Sequence, residues 1–225
     1  MFTETLSPDR GTLLRKNCSQ NLKIAITPSS QLSELMMIKG DTFISKNISE
    51  HDLSLKAGDP YMIINKGKMK LEISYSENID DHKVIYNPYK YEHAKKEKIN
   101  PADFKKSHEV PEGYIDILPK WYSIKFTYPD YNLIFIKPEM GISFQVHDQR
   151  KEYWEVLDGK PIILNGHNVH YYVESGTQFE IPINSFHTVI NPNKNQGDYI
   201  LLKENWVGNF NEGDITRVFN PNHYH

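Results

Sequence analysis

Cysteine is almost absent from this chain. Cys18 is the only one, so no intrachain disulfide can form and a reducing compartment is expected. A thiolate zinc finger is excluded with it. Alanine is scarce, and no apolar run approaches the ~20 residues that cross a bilayer. The opening MFTETLSPDR lacks the basic stretch and apolar core of a secretory signal. Charge of one sign is lacking too. The net charge of −3 provides no basic footprint for nucleic acid. These absences predict a cytoplasmic protein with no membrane and no nucleic-acid partner. Tyrosine (14 residues) and β-branched residues are abundant instead, which favours strands over helices.

The pattern along the chain divides into three stretches. Residues 1–76 carry short apolar runs (LKIAI, ELMMI, YMIIN, LEISY) punctuated by Gly40, Gly58 and Gly67, which is strand-and-turn spacing. Residues 77–111 are charged, contain three prolines and read as a linker with one short helix near 91–98. Residues 112–225 return to strands: YIDIL, WYSIKF, NLIFIK, ISFQVH, YWEVL, KPIIL, HYYVE, FEIPI, HTVIN and YILLKE. About ten strands spaced ~8–12 residues apart, without a long helix, predict an all-β sandwich or barrel.

Two segments carry chemistry. In GISFQVHDQRKEYWEVLDG, strand alternation puts Ser143, Gln145 and His147 on one face. If the chain turns through DQRK into a hairpin, Glu152 joins them. In GTQFEIPINSFHTVIN, a turn at Ile183-Asn184 leads into His187. Asn tolerates the left-handed conformation that such a turn needs. Two imidazoles, a carboxylate and an amide oxygen form a mixed N/O donor set suited to one divalent ion. Zn²⁺ is the first choice, with Mn²⁺, Fe²⁺, Co²⁺ or Ni²⁺ as alternatives. Each of these residues has a plainer reading as well: a rim histidine, or an amide bonded within the barrel. Trp154 reads as core, Asn191 as a strand-end fixture, and His167 and His170 as solvent-facing.

The same segments resemble the paired motifs of the cupin superfamily. The second motif reads Gly176, Pro182, Asn184 at the usual glycine position, His187 and Asn191. The first reads Gln145-x-His147-x4-Glu152-x6-Gly159, with Glu139 where a glycine is usual and Gln145 where a histidine is usual. Within that superfamily, Gln145, His147, Arg150, Glu152 and Trp154 resemble the type II mannose-6-phosphate isomerase cupin. Lys137-Pro138 before them, Asp214-Ile215-x-Arg217 after them and the aromatic opening at Trp121-Tyr122 fit the same branch. The resemblance spans roughly 105 residues. It departs from the family at Asp148 and Gln149, where histidines are usual, and 225 residues do not hold the nucleotidyltransferase domain often fused to this branch. Residues 52–69 faintly echo a second cupin motif, with Met69 at a ligand position. The first stretch is then either a degenerate cupin repeat or a set of edge strands on one barrel.

The resemblance implies a cupin jelly-roll barrel and a metal-dependent sugar-phosphate isomerase. Its metal ligands are Gln145, His147, Glu152 and His187. Its catalytic residues are Arg150 and, for the base, which the sequence does not single out, either Glu204 near the family's C-terminal acidic position or a metal-bound water relay; its substrate anchors are Lys137, Arg150 and Arg217. The partner is a small sugar phosphate, and a homodimer is allowed by the exposed sheet edges usual in such barrels. The alternatives are a cupin that binds a sugar without turnover, and another cupin enzyme such as an oxygenase or a sugar-nucleotide epimerase.

Overall fold

The structure is a computed structural model that describes residues 2–18, 21–48, 52–208 and 212–223. It forms two compact units, Met1–Pro88 with His167–Val169, and Tyr89–Gly166 with His170–His225. Among the described residues, no helix is long and apolar enough to cross a membrane.

The first unit contains β1 (Phe2–Leu6), β2 (Leu14–Lys16), β3 (Asn21–Thr27), β4 (Leu35–Lys39), β5 (Thr42–Ile44), β6 (Ser54–Lys56), β7 (Pro60–Asn65), β8 (Leu71–Tyr75) and β9 (Lys83–Tyr86). One sheet runs β1-β8-β3-β6. In the other, β9, β2, β7, β4 and β5 are neighbours in that order. β3 alternates residue by residue, with Leu22, Ile24 and Ile26 inward. They meet Met37, Tyr61, Ile63 and Ile73 in one core that draws on both sheets. Met69 is exposed.

The remaining elements are α1 (Pro101–Ser107), β10 (Asp116–Pro119), β11 (Ser123–Thr127), β12 (Asn132–Ile136), β13 (Phe144–His147), β14 (Arg150–Asp158), β15 (Ile162–Asn165), β16 (Asn168–His170), β17 (Gln178–Ile181), β18 (His187–Ile190), β19 (Ile200–Gly208) and β20 (Ile215–Phe219). In the second unit one wall is β10-β11-β12-β19-β14-β17, and the facing wall is β20-β13-β18-β15. All these neighbours are antiparallel. Ile134, Ile136, Trp154, Val156, Ile163, Val189 and Leu202 fill the space between the walls. This is an all-β architecture of two curled antiparallel walls around one core, the class that the strand spacing predicts.

Three expectations change. The stretch 77–111 is not a free linker. β9 pairs with β2, and the units divide at Pro88/Tyr89. The helix lies at 101–107 rather than 91–98, capped by the Asn100 side chain, which accepts from the N–H groups of Ala102 and Asp103. Its Phe104 packs on Ile124, Phe126, Leu133 and Phe135, covering the outer face of the β10–β12 wall. Finally, HYYVE contributes no strand beyond His170.

Candidate active site

The site is built where the two walls meet. β13 and β14 do not form the expected hairpin. β13 pairs with β18 and β20, while β14 pairs with β17 and β19. Asp148 and Gln149 carry the chain from one wall to the other. The Asp214 carboxylate fixes this crossing, accepting from the backbone N–H of Asp148 at 3.0 Å and of Gln149 at 3.2 Å. Gln145 and His147 therefore approach from one wall, Arg150 and Glu152 from the other.

His187 sits directly opposite Gln145 in register. The turn before it holds Asn184 at φ 59°, the left-handed conformation that the sequence requires there. The Asn184 N–H donates to the His147 carbonyl at 2.7 Å, tying the two histidine-bearing segments together. Glu139, at the other usual glycine position, has φ 60°.

His147, Glu152 and His187 converge, with one ligating atom of each within 4.8 Å of the others. His147 Nε2 is 3.0 Å from Glu152 Oε1, and His187 Nε2 is 3.7 Å from Glu152 Oε2. His187 Nδ1 lies 2.9 Å from the Ser185 carbonyl, so this nitrogen carries the proton and Nε2 turns a lone pair inward. Burial drives the His187 pKa down to about 4, despite the opposing pull of Glu152. Burial pushes Glu152 up, but the His147 hydrogen bond and the charges of His187, His147 and Arg150 outweigh it and hold its pKa near about 2. The result is a buried carboxylate between two inward-facing imidazole nitrogens, a donor set that suits a divalent ion of the zinc type. The Gln145 side chain receives a hydrogen bond from Ser143 Oγ at 2.7 Å, and its Nε2 lies 3.3 Å from His187 Nε2. In this orientation Gln145 presents an N–H; its amide must turn over to offer oxygen as a fourth ligand.

Arg150 is buried among the same groups. Its Nε donates to Glu152 Oε1 at 2.9 Å, and its Nη2 lies 3.0 Å from His147 Nε2. Nη1 is 3.5 Å from Asp214 Oδ2. Trp154 is core, as read, and its indole N–H also reaches Glu152 Oε2 at 3.1 Å.

A cavity opens beside this cluster. Gln145, Arg150, Glu152, Glu204 and Arg217 line it, together with Lys120 and Lys125. Glu204, across from Asn132 and Trp154 on the sheet, is buried and accepts a 2.7 Å hydrogen bond from Asn132 Nδ2. Burial, reinforced by the charge of Glu152, raises its pKa to about 7 against the pull of Lys125. Lys137 does not join this cavity. It lines a separate one with Tyr91 and Trp121. Asn191 fixes a strand end through the carbonyls of Ile136 and Asp198. His167 and His170 are exposed.

Lys125, Asn132 and the crossing role of Asp214 were not singled out in the sequence, and Lys120 figured there only beside the aromatic opening at Trp121-Tyr122. For Lys125 the signal misleads: Ile124 and Phe126 beside it face α1 on the outside, so the polar alternates of β11 point in.

Residues 122–220 match the family described as mannose-6-phosphate isomerase C-terminal. The match covers under half of the chain and includes Gln145, His147, Glu152, His187, Glu204 and Arg217. No curated protein is significantly similar to the chain. Among solved structures, a putative sugar phosphate isomerase from Acidithiobacillus ferrooxidans is similar at 19% identity, covering 34% of this chain and 47% of its own, with a TM-score of 0.30. A cupin-superfamily sugar phosphate isomerase from Silicibacter pomeroyi is similar at 13% identity over 39% of this chain and 60% of its own, with a TM-score of 0.33. The chain thus spans about half the length of these two proteins. The Streptomyces nucleoside dehydratase Pac13 is similar at 13% identity over 49% of this chain and 93% of its own, with a TM-score of 0.37.

Proposed function

We propose that the second unit is an aldose–ketose isomerase for a sugar phosphate, with mannose 6-phosphate and fructose 6-phosphate as the first pair to try. One observation carries this reading: a cavity that places the buried Glu204 carboxyl group among the cations Lys120, Lys125, Arg150 and Arg217. The match of residues 122–220 to the isomerase family supports it.

Isomerisation moves one proton between C2 and C1 and one between the neighbouring oxygens. Glu204 as carboxylate takes the proton from C2 of the aldose, giving an enediol, and returns it to C1. A carboxyl group half ionised near pH 7 suits both directions. Asn132 holds the carboxylate oxygen in place. Lys120, Lys125 and Arg217 at the cavity wall take the phosphate, and a guanidinium can do so in bidentate fashion. Lys137, in its separate cavity, has no part in this.

Gln145, His147, Glu152 and His187 are the residues that would hold a divalent ion, Zn²⁺ by the nature of the donors. When bound, such an ion supplies a Lewis acid for the substrate carbonyl oxygen.

The test is direct. Purified protein with Zn²⁺, Mn²⁺ or Co²⁺ and mannose 6-phosphate should yield fructose 6-phosphate, and Glu204→Gln should not. No product from any of the three metal-supplied samples would refute the isomerase. The engagement of Glu152 and His147 by Arg150 favours one other reading, a barrel that binds the sugar phosphate without converting it. Thermal stabilisation by the sugar phosphate with no product would mark that case.

A further inference from the structure

The donors that would hold a metal already hold a cation. We propose that the guanidinium of Arg150 is the resident cation of this barrel, and that a divalent ion enters the His147–Glu152–His187 set only in exchange for it.

The argument starts from donors and lone pairs. A guanidinium can only donate hydrogen bonds. His147 Nε2 lies 3.0 Å from Arg150 Nη2 and 3.0 Å from Glu152 Oε1; in the tautomer with its proton on Nδ1 it accepts from the guanidinium. Nδ1 faces Asp214 Oδ2 at 3.9 Å. Glu152 Oε1 accepts from Arg150 Nε at 2.9 Å. Glu152 Oε2 accepts from the Trp154 indole, and His187 Nε2 is paired with the Gln145 amide. Each atom that a metal would use thus already has a polar partner, and Arg150 contacts two of them.

Charge leads to the same result. Arg150 is 4% exposed, and the carboxylates beside it belong to Glu152 and Asp214. One buried cation against two carboxylates is a tolerable balance. A divalent ion added on top would place three positive charges there, with the guanidinium nitrogens within bonding distance of the same ligand atoms. Both cations cannot occupy these contacts. The cavity beside the cluster, lined by Arg150 itself, gives the displaced side chain a place to go.

This inference stands on the geometry of the cluster and needs no substrate, so it can fail or hold independently of the isomerase reading. Full-length protein is stripped with a chelator and titrated with Zn²⁺ and with Co²⁺, the latter followed by its visible absorption. Arg150→Gln should bind the ion roughly tenfold or more tightly than the parent, a coupling of ordinary size. His147→Ala in that background should abolish the gain. The chelator should leave the melting temperature of the parent unchanged.

Equal affinity in parent and Arg150→Gln would overturn the proposal. So would a tightly held, stoichiometric ion in the parent that Arg150→Gln lacks, or a folded Arg150→Gln that binds no ion. If Arg150→Gln does not fold, the parent itself decides. Phenylglyoxal labelling read by mass spectrometry should find Arg150 protected without metal and reactive with millimolar Zn²⁺. Protection that persists in Zn²⁺ would overturn the exchange.

Discussion

Glu204 sits under opposed forces, with burial and Glu152 pushing its proton on and Lys125 and Asn132 pulling it off. A carboxyl group balanced near neutral pH can both take up and give back a proton there. Glu204→Gln keeps the shape and the contact with Asn132 but cannot carry a proton. We expect kcat to fall by roughly 10²–10⁴-fold with KM little changed, and the limb of the pH–rate profile near 7 to vanish. Initial rates across pH 5–9 check this. Asn184 offers a second test at the same scale. Its φ of 59° costs a residue with a Cβ something that glycine does not pay. Asn184→Gly should keep the fold and raise stability by up to ~1 kcal/mol, as measured by denaturant unfolding. Both residues were open to sequence reasoning to different degrees. The left-handed turn at Asn184 follows from the motif, because the glycine position names the conformation. The protonation of Glu204 does not, because it depends on Glu152, Lys125 and Asn132, which come from three other strands.

Among the elements, α1 shows where the sequence pattern failed. Asn100-Pro101-Ala102-Asp103 is a cap followed by a first-turn proline, yet the surrounding charge and prolines read as linker. The helix matters because it covers apolar residues on the outer face of β11 and β12. Asn100→Ala should cost ~1 kcal/mol, and Phe104→Ala, which empties the contact with Phe126 and Phe135, ~3–5 kcal/mol. Chemical denaturation of the full chain measures both. The covering helix also explains the misread polarity of β11. Alternation tells which residues share a face, but only the neighbouring element tells which face is inside. β13 and β14 make the same point. Their residue faces were legible, and the facing of Gln145 and His147 with Glu152 was reached through a hairpin that does not exist.

For the whole molecule, the site residues set how stability changes with pH. His187 has a pKa of about 4 when folded and 6.5 as a free side chain, so folding resists its protonation and stability falls as pH drops from 6.5 toward 4. Glu152, at about 2 against 4.5, adds a loss as pH falls from 4.5 toward 2. Glu204 has the opposite sign: at about 7 against 4.5, it lowers stability as pH rises from 4.5 through 7. Glu204→Gln should therefore raise the melting temperature more at pH 8 than at pH 4, and His187→Ala should flatten the loss between pH 6.5 and 4. Thermal melts in matched buffers read both slopes. Salt provides a further check. Since Lys120, Lys125 and Arg217 line the cavity on a chain of net charge −3, sugar-phosphate affinity should weaken steadily from 50 to 500 mM NaCl, within which range the Debye length shrinks below ~10 Å.

The crossing at Asp148-Gln149 has a kinetic consequence. His147 and Glu152 are near neighbours in the chain, yet the strands that hold them close only through distant partners. Gln145 pairs with His187 and Glu152 with Trp206, and Asp214 clasps the crossing from farther still. A nascent chain cannot assemble any part of this cluster until nearly the whole domain has been made. Ligand or metal binding during refolding should therefore appear late, with the last native contacts, and should serve as a clock for barrel closure.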